Sequence, residues 1–272
     1  MRLGPGEYFG GTKWSRQVRG VLLTISTYQA SQTQPWHCHA NPTFFVLLTG
    51  KHRDHTRCAD VDQSALSLVF HPTTNPHAGE VGPLGMRGMN IEYPAEWLER
   101  HGLGDEDLSR YRPLESAGAR LSVLQVLATA FQPGDQMDAE IETLVLELLA
   151  QVVSWPEPVI ESFAPKWLRT AEEFLRANFR QAISLRDVAH ESKVHPVYLA
   201  RVFRRKYGQP VSEHLRALRV AEAGRLILEG ASLADAAYAA GFADQSHFSR
   251  SCSQIAGFSP KFLLPARHAV RN

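Results

Sequence analysis

The sequence contains few cysteines and no long apolar segment, and each absence excludes a class of protein. The three cysteines are scattered and odd in number, which predicts free thiols in a reducing compartment rather than a disulfide framework. They are Cys38, Cys58 and Cys252. No stretch reaches the roughly 18 apolar residues that a membrane span requires, and the N-terminal residues lack the apolar run of a secretory signal. We therefore expect a cytoplasmic protein with no membrane partner.

Motifs of several enzyme classes are also missing. The sequence has no phosphate-binding glycine loop, no Gly-x-Ser-x-Gly nucleophile elbow and no His-Glu-x-x-His zinc-binding helix. P-loop nucleotide hydrolases, α/β-hydrolases and zinc proteases of that type are thereby excluded. We predict that the protein is not an enzyme.

The chain has almost no net charge, but its two parts carry opposite charges. Residues 165–272 contain 17 Lys and Arg against 9 Asp and Glu, which gives +8, whereas residues 1–164 carry −7. The length of 272 residues is sufficient for two domains with separate cores. A basic domain beside an acidic one predicts that only the C-terminal part meets phosphate groups.

Short apolar or alternating runs fill the first ninety residues. They are VLLTISTY (21–28), FFVLLTG (44–50) and ALSLVF (65–70), separated by Gly, Pro and Asp. Such runs are typical of strands, and no long helical period interrupts them. We predict a small antiparallel β-barrel or sandwich over residues 1–94.

The period changes to that of helices after residue 94. Helices are predicted at 95–102, 117–131 and 135–155, the last two joined by a tight Pro-Gly turn into an antiparallel pair. The apolar face of this pair needs a partner, either the strand region or a second copy of the chain, and a homodimer is therefore one of the expectations. The proline-rich residues 155–158 predict a linker that closes a segment spanning 95–158.

An internal repeat dominates the basic part. The segment beginning at Ser184 (SLRDVA) recurs 48 residues later at Ser232 (SLADAA). In each copy a serine at a helix N-cap is followed three residues later by an aspartate, which is typical of a helix start. A short turn follows, and then a longer helix with an apolar stripe. The repeat predicts two helix-turn-helix units, at 184–207 and 232–257.

The longer helix of each unit has the character of a DNA-recognition helix. A stripe that includes Leu199 and Phe203 faces inward, while Arg201 and Arg204 lie on the other side, and Arg250 matches Arg201 in the second unit. A guanidinium can form two hydrogen bonds with guanine. Residues 211–230 predict a connecting helix about 27 Å long. Such a spacer allows the two recognition helices to lie about one DNA turn, roughly 34 Å, apart.

At this point the sequence resembles a known family. Residues 240–263 (AGFADQSHFSRSCSQIAGFSPKFL) look like the signature of AraC/XylS-type regulators, and residues 195–227 resemble the corresponding first unit. The resemblance covers about 165–268 and implies two helix-turn-helix subdomains bridged by a long helix, bound to double-stranded promoter or operator DNA in the bacterial nucleoid. It implies RNA polymerase as a further partner if the protein is an activator. The DNA-facing positions that it implies are His195, Val197, Ala200, Arg201, Gln245, Ser246, Ser249 and Arg250.

Two positions depart from the family pattern. Cys252 replaces an aromatic residue, and we expect it to be a smaller core residue, whereas Ser253 replaces a basic one and weakens a phosphate contact. Val197 and Ala200 have no hydrogen-bonding side chain, so the first recognition helix is expected to read thymine methyl groups.

The histidines of the strand region resemble the two motifs of cupin barrels, which are frequent sensor domains in this family. His37, His39 and His77 match three of the positions that hold a metal in metal-binding cupins, while Thr43 occupies the position of the glutamate. Three imidazoles and a water suit a zinc-like divalent ion. Inherited packing without metal and a small organic effector in the cavity are the alternatives. His52, His55 and Cys58 form a second cluster or a polar hairpin end.

The sequence thus predicts an α+β protein: a cupin-like sensor barrel, a helix pair and an all-α tandem helix-turn-helix domain. The predicted function is a sequence-specific DNA-binding transcriptional regulator that responds to a small effector. The alternative is a metal-dependent cupin enzyme with an appended helical domain. A redox sensor built on Cys38, which lies between His37 and His39, is a third possibility.

Overall fold

The computed structural model describes residues 1–57, 59–103, 108–114, 116–153, 165–264, 266 and 268. The chain forms two compact units, the first built mainly from Met1–Ser154 and the second from Trp155–Ile227 with Ala231–Lys261. Cys58 and the linker predicted at 155–158 lie outside the described residues. The predicted domain boundaries at 94, 158 and 165 stay predictions.

The first unit is rich in strands, as the sequence predicts. Its sheet is antiparallel apart from the pairing of β1 with β4. The strands are β1 (Arg2–Leu3), β2 (Gly11–Val18), β3 (Val21–Tyr28), β4 (Thr33–His39), β5 (Thr43–Thr56), β6 (Asp60–Gln63), β7 (Leu68–His71), β8 (His77–Glu92) and β9 (Arg112–Leu114). The α+β fold class is confirmed, and β3 has the bounds that the periodicity predicts.

Two long strands, β5 and β8, organise this unit. β8 pairs with β3, β4 and β5, while β5 also pairs with β6 and β7. Their pairing is irregular near Gly50, where a Cβ would lie 2.3 Å from the carbonyl oxygen of Gly85. Both glycines have positive φ, 91° and 73°, so the close approach and the backbone geometry both favour glycine. This arrangement brings the N-terminal end of β8 beside β4, and His77 pairs in register with His37.

Three helices complete the first unit: α1 (Ala95–Arg100), α2 (Ala117–Ala130) and α3 (Asp135–Val153). The apolar stripe of α3 is buried within this single chain. Trp14 of β2 stacks on Phe131 with ring centroids 4.6 Å apart. Arg16, also on β2, donates to the carbonyl oxygens of Ala130 and Gln132 and forms an ion pair with Asp138. The strand region is therefore a partner of the helix pair, which was one of the two alternatives.

The second unit is helical throughout its described residues. Its helices are α4 (Lys166–Asn178), α5 (Leu185–Glu191), α6 (Pro196–Tyr207), α7 (Val211–Leu228), α8 (Leu233–Ala239) and α9 (Gln245–Ala256). The paired lengths, 7 and 12 residues for α5 and α6 and again for α8 and α9, reproduce the predicted repeat. The single connecting helix is confirmed as α7, with 18 residues. Among the described residues, no helix is long and apolar enough to cross a membrane.

Candidate DNA-binding surface and histidine cluster

The first helix of each repeat starts at the predicted serine cap. The Ser184 hydroxyl accepts a hydrogen bond from the Asp187 backbone N–H, and the Asp187 carboxylate accepts one from the Ser184 backbone N–H, which completes a capping box. Ser232 accepts from the Asp235 backbone N–H and donates its hydroxyl to the Asp235 carboxylate. Each cap satisfies donors that the first turn of a helix leaves open.

The apolar side of each recognition helix forms the core of its unit. Leu199 and Phe203 are buried on α6, and Phe248 and Cys252 occupy the equivalent inner side of α9. Burial raises the pKa of the Cys252 thiol to about 12. Cys252 is therefore a core residue with little thiolate at neutral pH, as its replacement of an aromatic residue predicted.

The residues predicted to face DNA lie on the opposite sides of α6 and α9. Ala200 and Ser249 are half-buried, and Val197 is 70% exposed. His195 is the N-cap of α6, and its Nδ1 accepts from the Val197 backbone N–H at 3.3 Å, so its other nitrogen is the one available to DNA. The other predicted positions are all exposed: Arg201, Arg204, Gln245, Ser246 and Arg250.

Several arginines of this unit are used inside the fold. Arg219 donates to the carbonyl oxygens of Phe179 and Gln181. Arg180 and Arg225 both pair with Glu222, whose pKa is lowered by these partners despite its partial burial. These contacts hold the loop after α4 against α7. The number of cationic side chains available to bind phosphate is therefore smaller than the net positive charge of the unit suggests.

The arginines of the recognition helices have no such internal role. Arg201, Arg204 and Arg250 form no ion pair with any residue that the structure describes. The Arg201 guanidinium lies 5.6 Å from the ring centroid of Tyr198, an exposed aromatic residue that sequence reasoning missed. Desolvation of these guanidiniums by a nucleic acid would break no internal salt bridge.

A groove of about 610 Å³ lies beside α7 within the second unit. Ala200 and Arg204 from α6 and His247 from α9 line it together with Arg216 of α7. Arg216 was not among the predicted positions, because its helix reads as a spacer. The groove thus contains two of the predicted DNA-facing residues of α6 but none of those predicted on α9, whose contribution is His247.

The strand-rich unit places four histidines side by side, one more than the sequence predicted. His37 and His39 come from β4, His71 from the end of β7 and His77 from the start of β8, and all four are buried. The ring centroids of His37 and His77 are 4.1 Å apart, and those of His71 and His77 are 3.9 Å apart. We call these four residues the histidine cluster.

The histidine cluster is held in the neutral form. Burial lowers the pKa of His39 to about 4 and that of His77 to about 2, and it holds the pKa of His71 well below its usual value. His37 has a lowered pKa for the same reason, and its Nδ1 lies 2.8 Å from the Pro35 carbonyl oxygen. That contact assigns the proton to Nδ1 and leaves the Nε2 lone pair free. Neutral imidazole is the form that binds metal ions.

The donor set has the chemistry that a transition-metal ion requires. The Nδ1 atoms of His39, His71 and His77 are buried and have no hydrogen-bond partner among the described residues. Donor atoms of His37, His39 and His77 lie within 4.8 Å of one another. Thr43, at the position of the missing glutamate, donates its hydroxyl to the Asn41 carbonyl oxygen and is not a ligand.

The cavity beside the histidine cluster is small. It has a volume of about 30 Å³ and is lined in part by aromatic side chains that include Tyr8, Phe9 and Phe45. A water molecule needs roughly 10–15 Å³ by this measure, whereas pockets for organic ligands are typically about 300–1,000 Å³. In this structure the cavity therefore has room for an ion and a water molecule but not for an organic effector.

The sequence analysis did not predict a buried carboxylate that lies beside the histidine cluster. Asp54 of β5 is 0% exposed, and its Oδ2 lies 3.5 Å from His71 Nε2. Burial raises the pKa of Asp54 to about 7, and the nearby Tyr111 hydroxyl only partly offsets this. The strand alternation His52, Asp54, Thr56 was the available signal, since these three side chains are buried on one face of β5.

The second cluster that the sequence left open has separate roles. His52 lies in the cavity wall between Gln34 and Gln63, whereas His55 pairs with Asp60 on the surface side. Cys38 is half-buried, with its Sγ 3.8 Å from the Met1 carbonyl oxygen. The two histidines therefore do not converge on one centre.

Comparison with known proteins agrees with the geometry of the second unit. Residues 188–264 match the family described as the helix-turn-helix domain. A further match is the uncharacterized HTH-type transcriptional regulator YbfI of Bacillus subtilis (strain 168), 28% identical over 116 residues, which are 39% of this chain. The chain spans about two fifths of that relative, 40% of its length.

Solved structures with related folds are more distant. ToxT K231A from Vibrio cholerae strain SCE256 is 12% identical with a TM-score of 0.40, over 94% of this chain and 100% of its own. A transcriptional regulator with an AraC-type DNA-binding domain from Chromobacterium violaceum is 25% identical with a TM-score of 0.36, over 38% of this chain and 92% of its own. Both TM-scores are low, so the assignment depends on the sequence match and on the repeat.

The second unit is a tandem helix-turn-helix DNA-binding domain. Within that class, residues 188–264 match the helix-turn-helix domain family, and part of the chain is similar to a transcriptional regulator of that type.

Proposed function

We propose that the protein is a sequence-specific DNA-binding transcriptional regulator whose two recognition helices bind successive segments of one major groove. The observation that carries this proposal is the exposure of Arg201, Arg204 and Arg250 on the two recognition helices, since none of them forms an ion pair with a described residue. Surfaces that read DNA combine phosphate-binding charge with side chains that reach base edges. Such a regulator acts in the cytoplasm, at the nucleoid.

The two recognition helices have unequal chemistry. Gln245, Ser246 and Arg250 give α9 hydrogen-bonding groups, while α6 presents Arg201 beside the exposed Val197. We infer that α9 reads purine edges, and that α6 reads one guanine and a thymine methyl group. Contact with RNA polymerase and homodimer formation stay predictions.

Selection of bound sites from random DNA, followed by gel-shift titration, tests this proposal. The selected sites should contain two half-sites whose centres are about 10 base pairs apart. Insertion of about 5 base pairs between them turns the second half-site to the other face of the duplex and should reduce affinity to the non-specific level. An affinity that the insertion does not change, or a selection that enriches no sequence, would contradict the proposal.

We further propose that the barrel senses a divalent transition-metal ion. The support is the histidine cluster, with neutral rings and unpartnered nitrogens, beside a cavity of about 30 Å³. The family resemblance names His37, His39 and His77 as the ligands. An organic effector would need the cavity to become at least roughly ten times larger.

Gel-shift titrations with metal-stripped protein, with and without Zn²⁺, test the sensing role. An ion that favours one state of the protein should change the DNA affinity at least about fivefold. The matched control replaces His190, an exposed histidine of the second unit, by glutamine and should respond as the wild type does. Equal affinity in both conditions would refute metal sensing and leave the DNA-binding proposal intact.

A further inference from the structure

Among the described residues of the strand-rich unit, two carboxylates are buried, and they differ in their hydrogen-bond partners. Glu92 accepts hydrogen bonds from the Gly6 backbone N–H at 3.0 Å and from Tyr8 and Asn41 side chains at 2.7 Å each. Asp54 is equally buried, yet neither of its oxygens has a hydrogen-bond partner among the described residues. The fold thus surrounds Glu92 with three donors, whereas Asp54 has the nearby Tyr111 hydroxyl and His71 beside it. A buried carboxylate with so few donors gains stability when a cation binds it.

The distance between Asp54 and His71 is that of two ligands on one ion. Their Oδ2 and Nε2 atoms are 3.5 Å apart, which is longer than an N–H···O hydrogen bond. Two ligands bound at about 2.0–2.1 Å to a tetrahedral ion lie roughly 3.3–3.4 Å from each other. The His77 ring stacks on that of His71 at 3.9 Å. Donor atoms of all three residues lie within 4.8 Å of one another.

We propose that Asp54, His71 and His77 bind a divalent transition-metal ion through one carboxylate oxygen and two imidazole nitrogens. This inference rests on the proposed role of the barrel as an ion sensor and identifies its ligands. The set shares only His77 with the three histidines that the family resemblance implies. It contains an anionic ligand, which offsets part of the charge of a buried dication, whereas three neutral imidazoles do not.

The donor set also defines the class of ion. Two imidazoles and one carboxylate suit Zn²⁺, Fe²⁺ or Co²⁺, while Mg²⁺ and Ca²⁺ prefer oxygen ligands. Three protein ligands leave at least one position for water. His37 and His39 share the cavity with His77, so they line the side on which such a water would lie.

Titration of the metal-stripped full chain with Co²⁺, followed by its visible absorption, tests these ligands. We expect one equivalent to bind the wild type. Asp54→Asn keeps the shape of the side chain, and His71→Phe keeps a ring packed between His77 and Tyr111. Each should weaken Co²⁺ binding at least roughly tenfold. The matched control, His190→Gln at an exposed position of the second unit, should bind within about threefold of the wild type. The double variant His37→Gln/His39→Gln distinguishes the present ligands from the three family histidines.

The other possible results distinguish failure of the ligand assignment from failure of the ion-sensing proposal. If the double variant loses Co²⁺ and Asp54→Asn keeps it, the ion lies among the three family histidines and the present inference is wrong, while ion sensing stands. If the wild type binds no Co²⁺, the ligand assignment and the ion-sensing proposal are both wrong, while the DNA-binding proposal is unaffected. X-ray absorption of the Zn²⁺-loaded wild type needs no variant. Two imidazoles around the ion support the inference, and three overturn it.

Discussion

Lys193 and Gly241 occupy the same position in the two helix-turn-helix units, 48 residues apart, and both have a left-handed backbone, with φ of 54° and 87°. The turn therefore has one geometry in both units, although only one of them has glycine. The difference lies in the surroundings, because a Cβ at Gly241 would be 2.5 Å from the Arg180 carbonyl oxygen. No L-residue fits there without moving the backbone of the loop after α4.

Gly241→Ala should destabilise α8 and α9 by about 2–4 kcal/mol, through the unfavourable φ and the backbone clash together. Gly208→Ala is the matched control, since its φ is 71° but its Cβ would meet nothing within 4 Å. It should cost only about 1 kcal/mol. Hydrogen exchange of the helix amides measures both changes. Equal effects at the two positions would show that the space around Gly241 is unimportant.

Arg250→Ala should weaken binding to the selected site by about 1–3 kcal/mol and relax the preference at one base pair, since it removes a bidentate contact. Arg205→Ala removes another exposed positive charge, on α6, which we assign to a phosphate contact. It should weaken binding to all sequences alike and reduce the salt slope by about 1. Gel shifts at several salt concentrations distinguish the two patterns. An Arg250 variant with unchanged base preference would remove it from the readers.

Arg16→Lys should loosen the contact between β2 and the helix pair by about 1–2 kcal/mol, because an ammonium cannot reproduce the fork that reaches two carbonyl oxygens and Asp138. Arg19→Lys is the control, because its pair with Glu142 is half-exposed and is expected to contribute little. Hydrogen exchange in α2 and α3 reports the change. A larger effect at Arg19 would contradict this ranking.

Acid should destabilise the metal-free barrel. His39, His52 and His77 have pKa values near 4, 4 and 2 in the folded chain, against about 6.5 when unfolded. Below pH 6.5 the unfolded chain therefore binds more protons, and stability falls until the folded pKa is passed. Asp54, with a pKa of about 7, stabilises the folded chain as the pH falls from 7 to 4. Because it is a single group, the combined effect of the histidines is larger.

Calorimetry of the chelated protein should show its barrel transition falling by roughly 5 °C or more between pH 7 and pH 5. His71→Phe removes one buried neutral imidazole and should reduce this dependence, whereas His190→Gln, at an exposed position, should not. A transition that is independent of pH in this window would mean that the histidines are not held neutral.

The helical unit was largely predictable because its signals are local. Ser184 and Ser232 mark helix starts, the apolar stripes repeat every three to four residues, and Gly208 and Gly257 end the recognition helices in left-handed conformations. Each of these features acts within one or two turns of the chain. The orientation of the two recognition helices relative to each other could not be predicted, because it depends on how α7 packs.

The strand unit was predictable in class but not in detail. β8 contains Gly79, Gly82, Pro83, Gly85 and Gly88, which a sequence reading takes for loops. The pairing with β5 requires glycine at two of these positions, because a Cβ at Gly88 would lie 2.2 Å from the Phe45 ring and one at Gly79 would lie 2.3 Å from His52 Nε2. Strand partners are distant in sequence, so a residue pattern alone does not reveal such a requirement.

By itself, the sequence determined that this protein has an acidic strand-rich part and a basic tandem helix-turn-helix part, because caps, periodicity and charge are properties of short segments. Only the tertiary structure decided which side chains meet inside the barrel. His71 and Asp54 are 17 positions apart on strands that pair with each other, and β8 then adds His77. The contact between them follows from strand pairing and from the irregular register near Gly50, both of which are non-local.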